Sequence, residues 1–483
     1  MTTDSPQVVV VGAGVTGLAA AHRLISRATA LGQKLSLRVL ESRDRPGGAI
    51  WTIRRDGCIL EAGADSFITS KPGAVELAHE LGLSHELLET EPKHRRSFVV
   101  RKGRLVAIPE GFVMLGPTRL LPLVMTPLLS WRAKFRAMLE LVRPCRRELA
   151  DESLASFARR RLGREVFERL VQPLVAGVYT ADPAELSLAA TLPQYMAMER
   201  EQGGLIRGAR RAAALDRKNA TQASGARYGL FLTLASGMDR LVDALVESLP
   251  SGTLELGSPV RRIWRPDPAG PWRLEMLDGR ALEADLVLNT TEAHAAARLL
   301  DSHDSELARD LRTIPYASSA VVGLAYARDQ ITHPLDGFGV VVPAIEGREI
   351  LAISFPSVKF AGRSPAGTVL LRVFLGGALQ PDIYDRSDDV LIETAVREAS
   401  SLLGIKGPPR WSELSRHPRG MPQYTLGHLD RVASILARVK LHRGLILAGN
   451  AFEGVGIPDC IRSGQAAAES AWALLTDSAQ LAA

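Results

Sequence analysis

Three cysteines in 483 residues, Cys58, Cys145 and Cys460, stand far apart and show no metal-ligand spacing. Neither a structural zinc site nor a disulfide scaffold is expected, no metal is expected elsewhere, and a reducing compartment is the default. No uninterrupted apolar run reaches the roughly twenty residues that a membrane span needs. The longest apolar tract, Leu115 to Trp131, carries Arg119 and three prolines, Pro117, Pro122 and Pro127, so it cannot be one straight helix. It reads as buried packing around kinked turns, with a hydrophobic lip facing a membrane or an apolar substrate as the alternative. There is no internal repeat. The first residues, MTTDSPQ, are polar and run straight into an apolar strand, so neither signal nor transit peptide is expected and the cytoplasm is the simplest address. With 46% hydrophobic residues, the chain can bury a large core divided among two or three domains.

The net charge is +6, but it is unevenly spread. Between Lys93 and Ala220 there are 24 Lys and Arg against 12 Asp and Glu, so the rest of the chain is net negative. A positive block of this kind attracts a polyanionic small substrate, an anionic membrane or nucleic acid. Nucleic acid is not expected, because no recognised binding motif accompanies the charge. The run Arg159-Arg160-Arg161 sits among acids in a helical stretch and reads as a solvated face.

The two ends carry the strongest pattern. Val8 to Val11 leads into Gly12-x-Gly14-x-x-Gly17 and an apolar helix, the strand, turn and helix order that a dinucleotide pyrophosphate requires. The helix N-terminus adds free N–H groups and a positive dipole end. A second strand ends at Glu41, whose carboxylate suits the two hydroxyls of an adenosine ribose and disfavours a 2′-phosphate, leaving FAD or NAD. The following Arg45-Pro46-Gly47-Gly48 resembles the R-x-G-G turn of FAD-containing amine oxidases, carotenoid desaturases and porphyrinogen oxidases, which points to FAD. Near the other end, GLILAGNAFEGVGIPDC places a strand (Leu445 to Ala448), a turn with Gly449, Gly454 and Gly456, and a helix beginning near Asp459. A fold assembled from both termini is therefore α/β: a discontinuous, doubly wound FAD-binding domain, with the central parts as insertions.

Between these ends, helical signals dominate from about Lys134 to Arg211, with Asp151-Glu152-Ser153-Leu154 opening one helix. The stretch RGARRAAALDRKNATQASGARYG reads as a long exposed connection. From Thr253 short strands follow with a turn at Asp278-Gly279, and the segments SSAVVGLAYA, FGVVVPA, ILAISFPS and TVLLRVFLGGA suggest an antiparallel substrate-domain sheet covered by a helix from about Asp388 to Leu403. The expected division is 1–90, 225–300 and 416–483 for the FAD-binding parts, 91–224 for a helical insertion roofing the active site, and 301–415 for the mixed-sheet substrate domain.

Leu60-Glu61-Ala62-Gly63-Ala64-Asp65-Ser66-Phe67, the stretch SLASFARRRLGREVFERLVQPLVAGVYTADPAELSLAATLPQ, and MPQYTLGHLDR with GNAFEGVGIPDCI resemble the oxygen-dependent porphyrinogen oxidases of haem biosynthesis over nearly the whole chain. The closing VGIPDC is more similar to the coproporphyrinogen-oxidising branch than to the protoporphyrinogen branch. The resemblance implies non-covalent FAD, a porphyrinogen substrate with molecular oxygen as acceptor, and peripheral membrane contact and other haem-pathway enzymes as further partners. It implies a cofactor set of Gly12, Gly14, Val15, Thr16, Gly17, Glu41, Ser42, Arg45, Gly47, Gly48, Ala49, Gly63, Ala64, Asp65, Ser66, Val260, Gly449, Asn450, Gly454, Val455, Gly456 and Ile457. Lys71 is nominated for the substrate propionates, with Arg95 or Arg96 as weaker candidates, and Tyr179 for a place over the macrocycle. The flavin does the redox chemistry, so no catalytic acid or base is required. Cys460 lacks the sequence context of a covalent flavin attachment.

The chain departs from the family pattern at three places. Ala64 replaces a usual proline, His417 a common tryptophan and Gly204 a frequent serine. A related FAD amine oxidase or desaturase is the alternative enzyme reading, and a non-catalytic flavin-fold binding protein is the alternative outside enzymes.

Overall fold

Val8, Val9, Val10 and Val11 are all buried, as a β-branched run covered on both faces must be. In the computed structural model, which describes residues 5–146, 150–222 and 231–482, the strand Gln7–Val11 is the middle one of five. The order is Leu254–Glu255, Ser36–Leu40, Gln7–Val11, Leu286–Asn289 and Leu445–Leu447, all parallel. Strands from three distant stretches of chain thus make one nucleotide-type sheet.

Helix Val15–Ala30 lies on this sheet and packs against the C-terminal helix Ile457–Ala482. Their contact is close enough that a Cβ on Gly464 would stand 2.1 Å from the Thr16 carbonyl oxygen. On the other face a three-stranded meander, Val260–Trp264, Trp272–Met276 and Ala281–Ala284, buries Trp272 completely.

The region expected to be the substrate domain contains a seven-stranded sheet in the order Trp411–Pro422, Tyr316–Ala327, Thr368–Gly376, Ala352–Ser354, Gly339–Val341, Phe98–Arg101 and Arg104–Ala107. Its core strands are antiparallel as expected, but Gly339–Val341 pairs parallel with Phe98–Arg101. That pairing draws a hairpin out of the stretch 91–224, so the segment is not helical from its start. At the opposite edge, Trp411–Pro422 runs across the expected boundary at 415. Helix Asp388–Leu403 packs on this sheet.

The insertion expected to form the roof is built from helices that include Trp131–Met138, Leu154–Leu162, Gln172–Tyr179, Pro193–Gln202 and Leu205–Gln222. Ser153 caps the second of these by accepting the Ser156 N–H. Two sequence expectations are corrected here. The Arg- and Ala-rich stretch read as a loop is helical through Gln222, because Ala, Arg and Leu favour helix strongly; the rest of that stretch, to 229, lies outside the described residues. Arg161 is wholly buried rather than solvated, bonded to Glu140 and lying 3.3 Å from Glu199, while Arg160 joins Glu152 and Glu199 at 2.8 and 2.7 Å. Of that run, Arg159 is exposed.

Leu115–Trp131 divides between its two readings. Leu115, Leu123, Leu128 and Leu129 are buried, whereas Leu121, Met125 and Trp131 are more than two-thirds exposed, as is the neighbouring Phe135. No helix among the described residues is long and apolar enough to cross a membrane.

Candidate active site

Four backbone turns meet at the carboxyl edge of the parallel sheet, where open α/β sheets take their ligands. In the first, Gly12 has φ +101° and its N–H donates to the Leu40 carbonyl at 2.8 Å. Gly17 is required because a Cβ there would stand 2.0 Å from the Gly12 oxygen, while Gly14, at the helix N-terminus, has nothing within 4 Å of its missing Cβ. Val15 and Thr16 form the buried first turn of that helix, leaving its N–H groups free to receive a diphosphate.

Glu41 is buried and already employed. Its carboxylate accepts the Ala13 N–H at 2.8 Å and the Arg43 N–H at 3.0 Å, so it holds the glycine turn in shape while keeping lone pairs for a ribose. Ser42 is exposed beside it, and the Ser258 N–H donates to the Glu41 carbonyl at 2.7 Å, which brings Val260 to the same end.

The second turn lies on the first. The Gly47 N–H donates to the Ala13 carbonyl at 2.8 Å, and a Cβ on Gly48 would reach to 3.3 Å from the Gly14 Cα. Arg45 donates to the carbonyls of Pro46, Ile50 and Gly48 and meets no carboxylate among the described residues, which suits it to a diphosphate. The third turn fits under the second, with Gly63 beneath Ala49. It is anchored from the substrate domain: the His417 Nε2–H donates to the Ala62 carbonyl at 3.0 Å, and Arg372 donates to the Gly63 carbonyl. Lys359 and Arg372 grip Asp65 at 3.1 and 3.2 Å, and the Lys359 Nζ also donates to the Ser66 Oγ at 3.0 Å. Burial alone would raise the Asp65 carboxyl, but the two cations hold it well below the usual range. Ala64 is partly buried in the middle of this turn.

The fourth turn is closed by Tyr424. Its hydroxyl donates to the Asn450 carbonyl at 2.6 Å and accepts the Gly454 N–H at 2.7 Å, while the Gly449 N–H donates to Ser463 Oγ at 3.0 Å. Gly454, at φ +105°, leaves room for Asp459, whose Cγ would be 2.4 Å from a Cβ at that position. Val455 and Gly456 lead from it into the helix that opens at Ile457.

These turns fit a dinucleotide cofactor, and one buried polar atom supports that fit. The amide nitrogen of Asn289, at the end of a central strand, has no hydrogen-bond partner in the protein. The substrate candidates are placed less uniformly. The Lys71 Nζ is bonded to both carboxylate oxygens of Asp459 at 2.7 Å. Tyr179 feels the same carboxylate; burial, with Asp459 adding to it, pushes its phenol up to about 12. Its hydroxyl donates to the Thr191 carbonyl at 3.3 Å. Arg96 is bound to Asp336 and Arg95 lies 3.6 Å from Glu89, so each already has a carboxylate partner. Lys71 and Tyr179 are thereby brought to the fourth turn through Asp459. Cys460 is buried and its thiol is pushed up to about 11 by that burial, so it is a poor nucleophile.

Tyr424, Arg372, Lys359 and Asn289 were absent from the expected site residues. Tyr424 lay within a recognised motif, which was the available signal; the two cations become site residues only through contacts with residues hundreds of positions away. A cavity of about 450 Å³ opens between roof and substrate sheet, lined by Asp182, Glu185, Tyr316, Asp385 and Gln423 among others. Three carboxylates on its wall oppose a polycarboxylate ligand, so the porphyrinogen site is not assigned to it.

A parallel sheet with a glycine cradle made from both chain ends, closed by a separate substrate sheet, defines an FAD-dependent oxidoreductase. The family model for flavin containing amine oxidoreductases matches residues 15–471, and the chain belongs to that family. It is 36% identical to the coproporphyrinogen III oxidase of Propionibacterium freudenreichii, over 97% of this chain and 92% of that protein. It is 33% identical to the coproporphyrinogen III oxidase of Bacillus subtilis, over 98% and 99% of the two chains. A crystal structure of a candidate protoporphyrinogen oxidase from Exiguobacterium superposes with a TM-score of 0.84 at 31% identity, covering 97% of this chain and 98% of that one.

Proposed function

We propose that this enzyme oxidises coproporphyrinogen III to coproporphyrin III with molecular oxygen, releasing hydrogen peroxide. The observation that carries the reading is that the whole chain, cradle and roof alike, aligns with coproporphyrinogen III oxidases. FAD, when bound, would supply the hydride-accepting and oxygen-reducing chemistry. Removing six hydrogens from the macrocycle in three two-electron rounds consumes three oxygen molecules and yields three of hydrogen peroxide.

The protein's own part is to bind and orient. Glu41 would hold the ribose, Arg45 and the N-terminus of helix Val15–Ala30 the diphosphate, and the turns at Gly63 and Gly454 the rest of the cofactor. Lys71, half-exposed and partnered by Asp459, offers its ammonium to a propionate at the mouth, and Tyr179 covers the ring. The positive central block raises the local concentration of a tetra-anionic substrate. Lys71→Ala should raise KM for coproporphyrinogen III with little change in kcat, read by porphyrin fluorescence; equal loss in both would place Lys71 in structural support alone.

The exposed face of Leu121, Met125, Trp131 and Phe135, with the exposed Arg132 beside it, supports peripheral contact with an anionic membrane. Cosedimentation with anionic but not neutral vesicles tests it, and no binding to either excludes it.

A further inference from the structure

We propose that the Tyr424 hydroxyl couples cofactor occupancy to the helical roof, an inference that rests on the fourth turn being a flavin turn. Tyr424 is 3% exposed, and its hydroxyl spans that turn, donating to Asn450 and accepting from Gly454. Its own backbone faces the other way: the Tyr424 carbonyl accepts the Ser187 N–H at 2.8 Å, and Ser187 is the N-cap of roof helix Leu188–Thr191.

The flanking residues bind the roof as well. The Leu426 N–H donates to the Glu185 carbonyl at 3.0 Å, Thr425 bridges to Leu186, and the Gln423 Nε2–H donates to the Tyr179 carbonyl at 3.3 Å. Below, the Tyr424 ring stacks on His428 with centroids 3.9 Å apart and planes 13° from parallel, and the His428 Nε2–H donates to the Phe452 carbonyl at 3.4 Å. Residues 423–428 are therefore a strap with the roof on one side and the glycine turn on the other, and the phenol is its rigid crosspiece.

A glycine-rich turn has wide backbone freedom until a ligand fixes it. Once a cofactor seats against Asn450 and Gly454, the phenol they share is fixed, and the backbone bonds from 424 to 187 and from 426 to 185 lose an opening motion. Binding that removes freedom at one site protects the other without a change of shape. The roof over the substrate is thus firmest when cofactor is present.

Hydrogen exchange on apo and FAD-loaded protein tests the coupling, with flavin absorbance confirming that the cofactor is bound. In the wild type, FAD should slow exchange in the peptides containing Ser187 and Leu426 several-fold. In Tyr424→Phe, the apo protein should melt lower from the loss of two buried hydrogen bonds, FAD should bind roughly ten-fold more weakly because the turn is no longer pre-organised, and the FAD-dependent protection at 185–188 should vanish even at saturation. Equal protection in wild type and Tyr424→Phe, or none in a wild type that has taken up flavin, overturns the proposal. A wild type that takes up no flavin overturns the cofactor reading itself.

Discussion

Gly63 lies so close beneath Ala49 that a Cβ on it would stand 1.8 Å from the Ala49 carbonyl oxygen. The turn that follows the second glycine pair and the turn that carries Asp65 are thus one packed unit, and the cradle depends on a contact between them that only glycine allows.

Gly63→Ala should therefore shift the 62–66 turn away from 47–49 and break the His417 and Arg372 anchors behind it. The overpacking cost is about 1–3 kcal/mol. The purified variant should be folded by circular dichroism but pale, with flavin occupancy far below that of the wild type. Full yellow colour would show that the two turns separate without consequence.

His417, where the family resemblance implies a tryptophan, fastens the third turn from the neighbouring sheet. Its Nε2–H holds the Ala62 carbonyl at 3.0 Å, a bond that an indole N–H can also supply, and burial lowers its pKa so that it stays neutral. His417→Trp should keep FAD affinity within a few-fold. His417→Phe, which leaves the carbonyl unpaired, should cost about 1–3 kcal/mol, seen as weaker FAD binding by fluorescence titration.

The third departure, Gly204, has a partner. A Cβ there would lie 2.5 Å from the Arg161 guanidinium and 2.6 Å from the Glu140 carboxylate, and that carboxylate accepts the N–H groups of Leu205 and Ile206 at 2.6 and 3.2 Å. Glu140 thus caps the helix that opens at Leu205. Glu140→Ala leaves the buried Arg161 with Glu199 as its one carboxylate among the described residues and unpairs the Leu205 and Ile206 N–H groups; it should destabilise the roof by about 3–5 kcal/mol, measured as a lower unfolding midpoint. Gly204→Ser should also destabilise it, whereas Glu140→Ala with an unchanged midpoint would mean that Arg161 finds another partner.

His428 is completely buried, and that burial lowers its pKa to about 4. An unfolded histidine near 6.5 binds protons that the folded one refuses, so its contribution is intact above pH 6.5 and is lost as pH falls from there toward 4. The loss is on the order of 3 kcal/mol at most. His428→Phe, which keeps a ring under Tyr424, should flatten the decline in melting temperature between pH 6.5 and 4. A decline as steep as in the wild type would assign it to the partly buried histidines whose pKa is also lowered, such as His22 and His417.

What the sequence revealed and what it hid follow from distance along the chain. The glycines of the first two turns act on neighbours within about 35 positions; spacing exposed Gly12, Gly14 and Gly17, and a family resemblance exposed Gly47 and Gly48. The cations that hold Asp65 lie 294 positions away for Lys359, and the carboxylate that occupies Lys71 is 388 away; no local pattern marks such pairs. Arg161 looked solvated because its run is charged, while Glu140, which buries it, sits in an unrelated turn. The Phe98–Arg101 strand was hidden for the same reason, since its sheet partner is Gly339–Val341. The helix through Gln222 was misread for another cause: its polar surface suggested a loop, although its alanines and arginines favour helix.

The central claim is the choice of substrate, and it is tested most directly by aerobic turnover of coproporphyrinogen III beside protoporphyrinogen IX at low and high salt, following porphyrin fluorescence and hydrogen peroxide together. The account predicts a higher kcat/KM for coproporphyrinogen III, an advantage that shrinks as salt screens the positive roof, and three hydrogen peroxide molecules per porphyrin formed. Faster oxidation of protoporphyrinogen IX at low salt, with a ratio that salt does not change, would contradict it.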